Sequence, residues 1–361
     1  MDVKAARSEA WAALAWKALP LDMLVALLRA FGEPAAILDA SRGALAAVVP
    51  AAAVARLKEP LPEASLAAIR AWLAEPGNEL LAWDDPDYPR ALLELGHAPP
   101  VLYFVGRREL LNRPALAIVG SRNATPQGLD NARAFARALA DAGLTIVSGL
   151  ALGIDAAAHE GALDGGGSTL AVVGTGLDRV YPARHRDLAH ELAARGGLLS
   201  EFAPGTPARA SHFPRRNRLI SGLARGVLVV EAALSSGSLI TARYAGEQGR
   251  EVFAIPGSIH SPLARGCHKL IREGAKLVET AQDVLAELGL GQRTPPAPAT
   301  AVATEGSHAD LLGALGVDPA DLDSLAARTG LSAQALCASL LALELDGKVV
   351  ALPGGRWQRC P

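Results

Sequence analysis

Between Arg209 and Arg225 the chain carries five arginines, one histidine and no acid, although the formal net charge of the 361-residue sequence is −2. Within this run, HFPRRNR sets Phe213 beside Arg215, Arg216 and Arg218, with Asn217 between the last two. Guanidinium forks grip phosphate, and an aromatic ring offers a face on which a base can stack. The combination points to a polyanion with stackable rings. A solvated helix face would carry the same charge without any ligand, so the reading depends on the turns found elsewhere.

Four such turns follow apolar runs. In VGSRNATPQG (119–128), Gly120 and Ser121 can turn backbone amides toward a phosphate, Arg122 adds a fork, and the helix that follows offers its positive end. The turn lacks the GxGxxG spacing of a dinucleotide site, so no such cofactor is expected. In VSGLALGIDAAAH (147–159), Ser148, Gly149 and Gly153 form a second close-approach turn, and Asp155 stands where a helix cap would. Asp155 and His159 have the i,i+4 spacing of metal ligands, but no third ligand is in view, so no metal is assigned. VGTGLDRVYP (173–182) is the third turn. The fourth is SSGSLITA (235–242), with Ser236, Gly237 and Thr241, whose hydroxyls suit a phosphate or a helix cap. Strand-to-helix turns of a parallel sheet open at one edge. Together with Arg215, Arg216 and Arg218 they predict an extended phosphate-binding surface.

Composition narrows the field. Half the residues are hydrophobic and 20% are charged, as in an ordinary folded protein of two or three domains. Aromatics make up only 4%, which makes Phe213 and Tyr181 beside polar turns notable. Cys267, Cys337 and Cys360 are odd in number and widely spaced, which fits a reducing cytoplasm better than a disulfide framework. No apolar run reaches the roughly 18 residues of a membrane span, and no signal-peptide core is visible, so no membrane association is expected. The near-neutral balance excludes a generally basic DNA coat and confines any nucleic-acid site to a local patch.

The elements that must position these residues fall into three blocks. Residues 1–80 read as short helices with eight basic and nine acidic residues, a small all-α module of helix-hairpin-helix or SAM-like type. That balance favours packing or protein contact over phosphate binding. Asp84 to Pro100 is a proline-rich lead-in with one helical turn. From Val101 onward, continuous apolar strands alternate with helices, which predicts an α/β, doubly wound, Rossmann-like parallel sheet over residues 84–288. Strands are expected at 101–106, 115–119, 144–147, 169–173, 198–202, 227–230, 252–255 and, shorter, 276–279. Residues 289–305 form a Pro/Ala/Thr linker, and 306–361 a helix-turn-helix-hairpin of winged-helix pattern.

The segments GSRNATPQG, SGLALGIDAAAHEGAL, GTGLDRVYP, SEFAPGT, HFPRRNRLISGLARGVLVVEA, SGSLITA and REVFAIPGS together resemble the DNA-processing protein A (DprA, or Smf) family. The likeness runs almost continuously from Asp84 to Glu279. The tail is similar to the winged-helix (DML1-like) module of many members, and the N-terminus to the SAM-like module of others. The resemblance implies a DNA-binding mediator, not an enzyme, that binds and protects single-stranded DNA. Such a mediator loads RecA recombinase onto the strand and displaces single-strand-binding protein during natural transformation in competent cells. It also implies a homodimer joined through the Rossmann-like domain. Carried over, Gly120, Ser121, Arg122, Phe213, Arg216, Asn217 and Arg218 line the DNA pocket, and Arg215 falls at the motif's variable position.

Two departures matter. The segment 331–347 has no Lys or Arg but contains Glu344 and Asp346, unlike a helix that reads a major groove, which points the winged module toward protein contact. Its basic side is the hairpin with Lys348, Arg356 and Arg359. The rival reading is a Rossmann-like nucleoside monophosphate hydrolase, which needs a placed carboxylate. Glu201, Glu231 and Asp155 are the candidates, each also suited to a cap or an arginine partner. The missing PGGxGT-type turn at 236–242 argues against hydrolysis.

Overall fold

The computed structural model describes residues 3–96, 98–290, 308–316 and 318–360. It begins with six helices, α1 (Val3–Trp16), α2 (Leu21–Phe31), α3 (Pro34–Asp39), α4 (Arg42–Ala46), α5 (Ala51–Lys58) and α6 (Glu63–Ala74). Pro34 occupies the first turn of α3, and the Ser41 hydroxyl accepts from the Ala44 amide to cap α4. Both starts follow from residue type: proline needs no amide partner there, and serine supplies an acceptor to an orphan amide.

A nine-stranded sheet follows, made of β1 (Asn78–Ala82), β2 (Val101–Gly106), β3 (Ala115–Val119), β4 (Thr145–Ser148), β5 (Thr169–Val172), β6 (Gly197–Ser200), β7 (Gly226–Val229), β8 (Glu251–Ala254) and β9 (Lys276–Leu277). The spatial order is β1-β2-β6-β5-β4-β3-β7-β8-β9. From β6 to β9 every pairing is parallel. The sheet is doubly wound because its strands feed two cores. In β3, Leu116 and Ile118 join the cluster under α8 (Pro126–Asp141) and α9 (Ile154–Asp164), while Ala117 and Val119 face the other side. That other side is covered by α7 (Arg90–Leu93), α11 (His212–Leu223), α12 (Ser238–Glu247) and α13 (Arg265–Arg272). Helix α10 (Arg186–Arg195) packs beside β6, and α14 (Ala281–Glu287) beside α8. Alternate residues of a strand point to opposite faces, so an all-apolar strand requires cover on both.

The expected wholly parallel sheet needs one correction. β2 runs antiparallel to β6, and β1, which precedes the Asp84 boundary, runs antiparallel to β2. These two strands form the floor of the helical module. Trp11, Ile69 and Trp72 pack on Leu80, Ala82, Val101 and Tyr103. Trp72 meets Tyr103 edge-on at 5.6 Å, a geometry favoured by the aromatic quadrupole.

Of the linker expected at 289–305, residues 291–305 lie outside the described residues, while Leu290 packs on the α8 side of the sheet. The tail comprises α15 (His308–Leu315), β10 (Ala320–Asp321), α16 (Leu322–Thr329), α17 (Ala333–Leu345), β11 (Val349–Leu352) and β12 (Arg356–Arg359), with strand order β10-β12-β11. Ser332 caps α17 and left-handed Gly330 ends α16. The module has its own apolar cluster. Its Arg328 bonds to Asp130 at 2.9 Å and to Gln127, both on α8.

Candidate nucleic-acid interface

Strand order reverses on either side of β3: β4 to β6 lie one way and β7 to β9 the other. The turns after β3 and β7 therefore part around a crevice at the carboxyl edge, where open α/β sheets bind ligands. A pocket of 840 Å³ lies there. Of the residues singled out from sequence, Gly120, Ser121, Arg122, Phe213, Arg216, Asn217, Ser236, Gly237 and Thr241 line it. Ser148, Gly149, Gly153, Arg215 and Arg218 do not.

The first turn folds around Glu231. The Thr125 amide and hydroxyl donate to its carboxylate at 2.9 and 2.5 Å, and the Thr125 hydroxyl in turn caps α8 at Gly128. Burial pushes the Glu231 carboxyl above its usual range, against the pull of the Thr125 bonds. The Ser121 amide donates to the Glu231 carbonyl at 2.7 Å, so it is engaged in the fold and not turned toward a phosphate. Arg122 emerges from this turn exposed, with its guanidinium 5.5 Å from the centre of the Phe213 ring. Phe213 is half-buried, and the exposed Tyr181 ring lies 5.6 Å from it; both line the pocket. A partly exposed ring flanked by a cation and a second ring has the chemistry of a stacking platform with a phosphate fork beside it.

The second turn plays a different part from the one expected. The Ser148 hydroxyl donates to the Ile118 carbonyl at 2.6 Å, inside the sheet. Gly149 leaves room for an arginine: a Cβ there would fall 1.7 Å from Nη1 of Arg216. Gly153 adopts φ +75°, and a Cβ would lie 2.2 Å from the Ser121 carbonyl. Gly153 thus lets the β3 and β4 turns touch each other. Asp155 accepts from the Gly149 and Ala151 amides at 3.1 and 3.4 Å and lies on the pocket wall. Burial raises its pKa, and the Arg216 guanidinium opposes that rise. His159 points elsewhere, with Nδ1 2.7 Å from the Thr169 hydroxyl. Among the described residues no three His, Cys, Asp or Glu side chains gather as a metal site.

The three arginines of HFPRRNR separate. Arg216 is 4% exposed and donates to the Val172 carbonyl at 2.8 Å, while its Nε has no partner. Burial lowers its pKa to about 10, with Asp155 working the other way. Arg218 and Arg215 turn to one carboxylate, Glu201, at 2.6 and 3.0 Å. Glu201 is almost wholly buried, and Arg215 also lies 5.3 Å from the Phe202 ring. Only Arg216 of the three faces the pocket. Asn217 reaches across to the Gly237 carbonyl at the start of α12. That start has no acid in its first turn and no side-chain cap; Ser236 and Ser238 share a hydroxyl bond at 2.7 Å. Arg209, Tyr181 and Asp155 also line the pocket. Arg209 lay within the basic run, yet spacing alone gave no reason to prefer it.

A doubly wound sheet with a basic, ring-lined crevice at its switch point, followed by a winged module, defines a class of Rossmann-like α/β protein with an appended winged helix. The profile described as DNA recombination-mediator protein A matches residues 79–289, and that of the DprA winged helix domain matches 295–355. The chain belongs to the DNA recombination-mediator protein A family, to which DprA and Smf proteins belong. It is 43% identical to Protein Smf of Escherichia coli (strain K12) over 302 residues, 81% of each chain. It is 51% identical to DNA processing protein DprA of Streptococcus pneumoniae over 203 residues, 56% of this chain and 72% of that one. The X-ray structure of the S. pneumoniae protein superposes with a TM-score of 0.68 at 41% identity, covering 78% of this chain and 97% of the other. A Helicobacter pylori DNA processing protein A, solved for its single-stranded DNA binding mode, gives 0.54 at 32% identity, covering 58% and 95%.

Proposed function

We propose that this protein binds single-stranded DNA in the crevice between the β3 and β7 turns. There it acts as a recombination mediator, protecting the strand and loading RecA recombinase onto it as single-strand-binding protein leaves. Natural transformation in the cytoplasm is the setting the family resemblance suggests. The observation that carries the reading is the Arg122–Phe213–Tyr181 group in the lining of the pocket. It offers a base face and a phosphate fork side by side, and bases inside a duplex cannot present their faces to it. The single-stranded DNA binding mode for which the H. pylori relative was solved lends support.

A hydrolase reading has less behind it. Glu201 neutralises two arginines, Glu231 holds Thr125, and Asp155 accepts two amides, so each candidate carboxylate already has a structural role. Titration of single- and double-stranded oligonucleotides over a salt series tests the proposal. Preference for single strands is expected, and equal affinity for both would remove the stacking argument. Release of free base from nucleoside monophosphates would favour the hydrolase.

A homodimer belongs to the same proposal. Leu234, Ile259 and Leu277 are 57%, 74% and 44% exposed, and all three border an apolar depression of 590 Å³ beside β9. Clustered large apolar side chains on a surface mark a contact.

A further inference from the structure

A second cavity, of 640 Å³, opens between the sheet domain and the winged module. Ser258 and His260 form one wall, and Lys348, Arg359 and Cys360 the other. Among the described residues, no carboxylate lines it. Among the described residues, Lys348 pairs with one acid, Asp346 at 3.2 Å, which stands outside the lining. Arg359 is exposed at the end of β12 and has no acidic partner among the described residues. The opposing segment, 256–265, contains His260 and Arg265 and no acid.

The cleft is held in place. Arg328 is 9% exposed and fastens α16 to Asp130 and Gln127 of α8, which opens directly after the first phosphate turn. The segment itself is pinned to the end of β7: Ala232 donates to the Leu263 carbonyl and Gly266 to the Ala232 carbonyl, both at 2.7 Å. Leu263 lines the first pocket, while Ser258 lines the second. Five peptide units separate them, at most about 18 Å of chain. One short segment is therefore the wall between a ring-lined pocket and a basic cleft.

We infer that the cleft is a second phosphate-binding subsite for the same DNA strand, with Lys348 and Arg359 gripping the backbone after it leaves the first pocket. The inference rests on the reading of that pocket as a single-strand site. It gives the hairpin a role that α17, with no basic residue, cannot fill. Cationic grooves that track the backbone beside stacking platforms are the general design for sequence-tolerant strand binding.

The full-length protein tests this with oligothymidylates of about 5 and about 20 nucleotides, below and above a typical single-fold site. The longer strand should bind more tightly. The double variant Lys348→Ala/Arg359→Ala should bind the short strand as the native protein does. It should lose roughly tenfold for the long one at low salt, with a salt slope smaller by about 1.4 for two lost phosphate contacts. Cys360 provides an independent readout. The long strand should slow its modification by a maleimide and the short one should not, while exposed Cys337 serves as the internal control. If the double variant binds both lengths normally and Cys360 reacts equally with and without DNA, the cleft is not a subsite. If short strands fail to bind while long ones bind and shield Cys360, the first-pocket reading fails and the cleft stands. If neither length binds, both fall.

Discussion

Arg122 and Phe213 touch each other, yet removing them should give different signatures. Arg122→Ala should weaken binding of all sequences alike and reduce the salt slope by about 0.7, since one condensed counterion contact is lost. Phe213→Ala should cost about 1–3 kcal/mol of binding with the slope unchanged, because stacking releases no counterion. Phe213 is only half-buried, so its variant should melt as the native protein does. A Phe213→Ala protein that melts early, or an Arg122→Ala protein with the native slope, would remove that residue from the site. His159 carries a separate expectation. Its ring is fully buried, and desolvation lowers its pKa from 6.5 to about 3. Between those values the unfolded chain binds a proton that the folded chain refuses. Stability contributed by the neutral ring is thus complete above 6.5 and falls as pH drops below it. The loss is about 2 kcal/mol by pH 5. Denaturant titrations at pH 7 and 5 check this: His159→Asn should show a smaller difference than the native protein, and an equal difference would refute the assignment. At this scale the sequence was a partial guide. Glycine signals close approach without naming what approaches: Gly149 admits Arg216, whereas Gly120 borders the pocket. Nor could spacing show that Glu201 folds back onto Arg215 and Arg218, since that pairing is made by the tertiary fold.

Among elements, strands buried on both faces were legible because nothing but an apolar run serves there; β3, β7 and β8 lie within a residue of their expected limits. β1 was not legible. Its sequence, NELLA, begins with two polar residues and follows a helix, and only pairing with β2 and cover from α6 make it a strand. Trp72 is the fastening of that cover, so Trp72→Ala should lower stability by about 3–5 kcal/mol. Chemical denaturation would measure it, and a loss under 1 kcal/mol would mean that the helices do not depend on this contact. The winged module is a different kind of attachment, with its own apolar cluster and a polar fastening through Arg328. Removing residues 306–361 should leave the affinity for short single strands within about tenfold, or roughly 1.4 kcal/mol. A greater loss in an oligonucleotide titration would show that the module completes the first pocket.

For the whole molecule, the apolar surface beside β9 sets the expected assembly. Sedimentation should find a dimer of the 37.2 kDa chain at micromolar concentration, and Ile259→Asp should return it to monomer. A native protein that stays monomeric would leave that surface without an occupant. The two ends of the sheet are unlike. At one end β1 lies under α1 and α6, whereas the exposed apolar residues stand at the other. A dimer in which both partners use this same patch would give each subunit a valence of one. Pairing of that kind would stop at two and would not propagate. Along a long strand such a protein would sit as discrete clamps with bare DNA between them, leaving room for a filament of another kind to start.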